Sequence, residues 1–216
     1  MSESTPPGAF LPDPFQDPFR GSADDVTALI GEFPLAWVAP RNDGAARGAT
    51  LLPLLARTDE DGRVVLLLGH MARRNPLYAA LEAEPSAAIL FTGPQAYVSP
   101  GLVSTPTWAP TWNYAQVRIE ARIRFRPDLG HMALDQLTRA MDASDQTGWA
   151  PRDVGSRYDA MERAIIAFEA DVTHLVAKFK LGQDESELSL REILASHPDP
   201  VLTRWMRRMN AGRIAP

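Results

Sequence analysis

The clearest pattern in the chain runs from Gln116 to Arg126, where Val117, Ile119, Ala121, Ile123 and Phe125 alternate with Gln116, Arg118, Glu120, Arg122, Arg124 and Arg126. Strict alternation puts one set on each face of an extended chain, so the spacing predicts a strand with an apolar face inward and a charged face outward. Further strands are expected at Leu35 to Pro40, over the run Arg47 to Arg57, from Arg63 to Gly69, at Ala87 to Phe91 and around Ala167 to Val176. The first three are separated by the turn signals Asn42-Asp43-Gly44 and Asp59 to Gly62, which favours an antiparallel meander.

Helical spacing appears between and after these runs. Ser22 followed by Asp25 reads as a helix start, with Val26, Leu29, Ile30 and Phe33 on one stripe and Pro34 as the stop. Arg73 to Leu81 predicts a short helix, Leu134, Leu137 and Met141 mark another, and Met161, Ile165 and Phe168 mark the approach to the last strand. From Ser186 the chain reads as two helices broken at His197-Pro198. The second carries Val201, Leu202, Trp205, Met206 and Met209 on one side and Arg204, Arg207 and Arg208 on the other. Closely spaced strands with inserted helices predict a closed or nearly closed barrel. The chain therefore divides into a proline-rich extended lead-in (1–20), a barrel body (21–183) and a helical C-terminal tail (184–216).

Length and composition narrow the function. A chain of 216 residues can bury one substantial core. It has no cysteine, which excludes disulfides, thiolate metal sites and a cysteine nucleophile. His70, His131, His174 and His197 lack ligand spacing, so no metal site is expected. No P-loop, GxGxxG or GxSxG pattern occurs, and no catalytic residue is assigned. The first residues lack the basic start and apolar core of a secretory signal, and no run approaches the roughly 20 apolar residues that span a bilayer, so a cytoplasmic location is expected. A net charge of −5 gives no general attraction to nucleic acid; a DNA contact would be local, with Arg204 to Arg213 as the basic element.

The segment Tyr97 to Tyr114, YVSPGLVSTPTWAPTWNY, sits between two strand-like runs and is rich in Tyr97, Trp108, Trp112 and Tyr114. Each of these rings carries a polar handle on an apolar plate, which suits half-buried surfaces and flat ligands.

Together with FLPDPF at Phe10 to Phe15, ATLLPLL at Ala49 to Leu55, GHMARRNP at Gly69 to Pro76, TGPQAYVSP at Thr92 to Pro100, PTWNY at Pro110 to Tyr114 and KFKLGQ at Lys178 to Gln183, this segment resembles the PaiB family of FMN-binding negative transcriptional regulators. The resemblance implies a mainly β fold with α elements, a split β-barrel with peripheral helices, related to pyridoxamine-phosphate-oxidase-like and flavin-reductase-like proteins. It also implies FMN as cofactor, bound at a homodimer interface. Two departures stand out: Gly101-Leu102-Val103 where members carry an aromatic pair, and Gly182 where members carry serine.

The resemblance nominates candidate cofactor ligands. His70, Arg73, Arg74 and Asn75 lie where a strand hands over to a helix, and arginine with helix-start amides suits a phosphate dianion. On its own the block also reads as a solvated turn. The backbone of Ala49, Thr50, Leu51, Leu52 and Pro53 would meet the flavin's polar edge, while the same leucines read as an ordinary core strand. Gln116 matches a strand in which a glutamine reaches the flavin phosphate; Trp112, Asn113 and Tyr114 would wall the pocket or pack a subunit interface. Lys178, Lys180 and Gln183 would neutralise phosphate or reduced flavin from a partner subunit, or form a solvated strand end. The functions open at this level are an FMN-binding homodimeric regulator, a flavin-dependent oxidoreductase using FMN and NAD(P)H, and a dimer without cofactor.

Overall fold

The computed structural model describes residues 18–41, 48–142 and 148–214. The motif at Phe10 to Phe15, nearly all of the lead-in and the turn Asn42-Asp43-Gly44 lie outside the described residues. Six strands make the body: β1 (Leu35–Pro40), β2 (Thr50–Thr58), β3 (Val64–Ala72), β4 (Ser86–Val98), β5 (Thr111–Arg126) and β6 (Ile165–Lys180). They close into a barrel in the order β1-β2-β3-β6-β5-β4, with every pairing antiparallel. The expected meander is β1-β2-β3. On β5, Val117, Ile119, Ala121 and Ile123 are buried as the alternation requires.

Two strands run longer than their apolar cores suggest. β4 continues seven residues past Phe91 through a bulge between Thr92 and Gln95, and β6 continues to Lys180. Tyr97 to Tyr114 is consequently a hairpin whose two ends are strand, with Tyr97 directly opposite Trp112.

Helices cover the barrel unevenly. In α1 (Ala23–Glu32), Ser22 and Asp25 form a reciprocal capping box, and Val26, Leu29 and Ile30 enter the core. The short α2 (Pro76–Ala83) follows β3, starting three residues later than the spacing implied because proline is favoured at the first helical position. α3 (Gly130–Met141) lies over β3 and β6, where Ala133 packs with Leu68 and Ala167 in a small cluster outside the barrel. α4 (Tyr158–Arg163) leads into β6 and carries Met161, which is exposed.

The tail forms α5 (Glu187–Ser196) and α6 (Pro200–Met209), capped by Ser186 and Asp199. Trp205 of α6 stacks on Phe179 at 6.0 Å, so the tail closes one end of the barrel. Among the described residues, part of the outer face of β1, β4 and β5 stays exposed. Leu51, Trp37, Leu90, Arg118 and Val176 form one cross-strand row there, and Trp37, Leu51 and Val176 are exposed.

Candidate cofactor site

Strands β2 and β3 pair from Thr58 opposite Val64 to Leu54 opposite Gly69, and then part. Past that rung Thr50–Pro53 pair only with β1, and His70–Ala72 only with β6. The two facing edges thus carry main-chain groups without a ladder partner, which water or a ligand must satisfy. Pro53 has no N–H with which to extend the ladder. Gly69, at the last rung, has no room for a side chain: a β-carbon there would sit 2.4 Å from Leu54 Cδ2 and 2.8 Å from Phe168 Cζ.

The GHMARRNP block lines the mouth of this split. Asn75 caps α2, its Oδ1 accepting from the Leu77 amide at 3.0 Å and from Thr50 Oγ1 at 3.3 Å, so it joins the two parted edges. The Tyr78 amide donates to the Asn75 carbonyl at 2.9 Å. The first-turn amides are therefore partly occupied, and a phosphate here would rely on arginine. Arg73 donates through its amide to Ala164 O at 2.9 Å and through Nε to Arg163 O at 3.1 Å, and the residue is exposed. Arg74 is exposed and makes no hydrogen bond or ion pair among the described residues.

His70 supplies the strongest local sign of a ligand. Its Nδ1 is buried with no hydrogen-bond partner, a cost that native structures seldom leave uncompensated. Burial also lowers its pKa below the ordinary histidine value, so the ring is neutral near pH 7 and offers one donor and one acceptor. These residues fit a flavin phosphate with its polar ring edge: exposed arginine, a neutral imidazole and unpaired strand backbone. Ala49 is half-buried just before β2, Leu51 points outward, and Leu52 is buried in the core.

The remaining nominees lie elsewhere. Trp112, Tyr114 and Gln116 share the outer face of β5, beside Lys180 and Lys178, which stand opposite Tyr114 and Gln116 on β6. Lys178 lies 5.4 Å from the centre of the Phe19 ring. Lys180 Nζ donates to Thr111 Oγ1 and, at 3.2 Å, to Trp112 O. Asn113 faces the other way: it is buried, with Nδ2 3.6 Å from Met206 Sδ. Gln183 closes its own turn, accepting from the Leu181 amide at 2.8 Å and donating to Phe179 O at 2.6 Å.

The candidates therefore fall into two separate groups, one at the β2–β3 split and one on the β5–β6 face. Lys178 is eleven residues beyond Ala167, the partner of His70, or roughly 36 Å of extended strand. Across the barrel, Leu51 and Arg118 are three strand spacings apart, about 14 Å on a convex surface. The sequence reading missed Trp37 and Leu35, which face outward between the two groups. Their signal was legible in LAWVAP, a strand apolar on both faces and therefore suited to burial on both.

A closed six-stranded antiparallel barrel, split at one edge and flanked by helices, defines the split-barrel class of flavin-binding proteins. Residues 10–174 match the family described as "Putative FMN-binding domain", and the chain belongs to that family. FMN is the cofactor this membership assigns. The chain is 25% identical over 181 residues to the protease synthase and sporulation protein PAI 2 of Bacillus subtilis, covering 80% of this chain and 83% of the relative. Among solved structures, the flavocytochrome Anf3 from Azotobacter vinelandii matches with a TM-score of 0.56 at 15% identity, over 76% of this chain and 69% of that one. An FAD and heme binding protein from Mycobacterium smegmatis matches with a TM-score of 0.53 at 19% identity, over 81% and 78% of the two chains. Among the described residues no helix is long and apolar enough to cross a membrane.

Proposed function

We propose that the protein is a homodimer in which the β2–β3 split of one copy and the β5–β6 face of the other enclose one FMN. The observation that carries this reading is the parting of β2 from β3 beside the unpartnered Nδ1 of His70. Both half-sites face outward from a convex barrel, so two copies are needed to close on a ligand from both sides. The apolar row between them, with Trp37, Leu51 and Val176 exposed, is the kind of surface that subunit contacts cover.

In this arrangement Arg73 and Arg74 hold the phosphate, and the main chain of Thr50–Pro53 meets the polar edge of the ring. His70 donates or accepts one hydrogen bond, and Leu51 covers a face. The second copy's Gln116 and Lys178 close the phosphate end. Bound FMN would supply electron transfer at its ring; the chain supplies orientation, charge and exclusion of water.

The family resemblance also carries a role as a negative transcriptional regulator. The basic element Arg204 to Arg213 is spent on the fold: Arg204 pairs with Glu32, Arg208 with Asp25, Arg207 donates to Leu194 O and Arg213 to Gly182 O. A regulatory output would therefore pass through flavin occupancy or redox state and a surface other than α6. A flavin-dependent oxidoreductase is the second reading, favoured by the open aromatic pair Tyr97 and Trp112 beside the β5–β6 half-site.

The joint site is tested by complementation. Arg74→Ala and Gln116→Ala should each weaken FMN binding, and an equimolar mixture after subunit exchange should recover parental affinity at about a quarter of the sites, because one site of each mixed dimer is intact. No recovery in a mixture shown to exchange, or a monomer that binds FMN at full affinity, would overturn the proposal.

A further inference from the structure

We propose that Tyr97 and Trp112 form a stacking subsite for a planar ring bearing a phosphate, held in position by the C-terminal helices. The two residues face each other across the β4–β5 ladder, with ring centres 5.8 Å apart and planes inclined at 61°. Trp112 is 59% exposed and Tyr97 47%, so neither contributes much to the core. Rings of this size on a hairpin end would ordinarily be mobile, but the main chain that carries these is anchored from behind. His197 Nε2 lies 3.3 Å from Tyr97 O, and Lys180 bonds Trp112 O.

The intervening loop is fixed by the same tail. The Ser104 amide donates to Glu192 Oε2 at 2.8 Å, and Trp108 Nε1 donates to Glu185 Oε2 at 2.7 Å. The hydrogen bonds from Ser104 hold the Glu192 carboxyl below its ordinary pKa. Glu185, Glu192 and His197 thus act as positioning residues: they touch the hairpin, which presents the rings. An aromatic platform fixed before the ligand arrives loses little entropy on binding.

Charge selects the ligand. Lys180 is one cross-strand row from Trp112, and an ammonium has three donors, two of which are used by Thr111 and Trp112. Among the described residues the third N–H has no partner, and it is available to an anion next to the plate. Stacking on a ring is tolerant of base identity, so the shared chemistry is a nucleotide unit, free or as part of a dinucleotide. Placement of that unit beside the flavin rests on the joint-site reading; binding of the unit to the plate does not.

The test uses calorimetry on the full-length protein, with and without FMN, titrated with AMP, adenosine and NADH. AMP should bind more tightly than adenosine, and Lys180→Met should remove the difference. Trp112→Ala and Tyr97→Ala should each weaken AMP about tenfold. Glu192→Gln should weaken AMP severalfold while FMN affinity stays within twofold, a split that a merely structural role would not produce. NADH binding tighter than AMP would show that the strip toward Arg118 is used as well. The proposal is overturned if AMP does not bind, or if it binds Trp112→Ala as tightly as the parent. Loss of FMN with AMP binding retained would count against the joint flavin site and leave the subsite standing.

Discussion

The Cε methyl of Met206 lies 3.0 Å from the point a β-carbon on Gly182 would occupy, and Gly182 sits at φ +88°. The turn after β6 is thus left-handed and pressed by α6, with Asn210 Nδ2 donating to Leu181 O at 3.0 Å from the same side. Serine at this position would meet both the backbone strain and the contact. Gly182→Ser should lower stability by about 1–3 kcal/mol in thermal denaturation. An unchanged melting temperature would mean the tail yields freely.

Glu32 organises the junction of α1 with α6, accepting from Arg204 at 3.0 Å and from Trp205 Nε1 at 3.1 Å. The ion pair is substantially exposed and worth little; the indole N–H left without an acceptor matters more. Glu32→Ala should cost roughly 1 kcal/mol by urea denaturation, and Arg204→Ala less. The reverse order would assign the main effect to the charge pair.

Trp37 is 46% exposed on the row between the two half-sites. Trp37→Asp should leave the monomer folded by circular dichroism while abolishing the proposed dimer in light scattering, since it would place a charge in the proposed apolar contact without disturbing the core. A dimer that persists would move the interface elsewhere.

Arg74 has no partner among the described residues, so its removal should not disturb the fold. Arg74→Ala should weaken FMN about tenfold or more and riboflavin hardly at all, as measured by flavin fluorescence. Equal losses for the two ligands would place the phosphate elsewhere.

Burial lowers the pKa of His70 below its usual 6.5. A histidine kept neutral by the fold is protonated first in the unfolded chain, so stability is full above about pH 6.5 and falls as pH drops toward the folded-state value. For Asp25, burial raises the pKa, but hydrogen bonds from Ser22 and Arg208 outweigh it and hold the carboxyl low. Its contribution is present above about pH 4 and is lost only as pH falls further. Acid denaturation should accordingly show two limbs, and His70→Gln should flatten the one just below pH 6.5. A single limb unaffected by that change would mean that His70 is solvated.

Much of the barrel was legible because strand alternation and caps are local. Gln116 to Arg126 shows its buried face in its own spacing, and Ser22 with Asp25 shows a helix start. The far half of β4 was not legible, because Thr92 to Val98 contains glycine and proline and is held extended by its ladder with β5. Asn113 was grouped with Trp112 and Tyr114 by motif, yet strand geometry turns it to the opposite face, against Met206.

The amino-acid order by itself determined which segments are strands, which faces are apolar and where helices begin, since periodicity and capping act over a few residues. It also placed arginine, histidine and asparagine together in one block. Only the tertiary structure decided that β2 and β3 part at Leu54 and Gly69, that Nδ1 of His70 is buried without a partner, and that the tail pins the aromatic hairpin. Those outcomes depend on contacts between residues far apart in the chain, where closure of the barrel and packing of α6 fix what local preference leaves open.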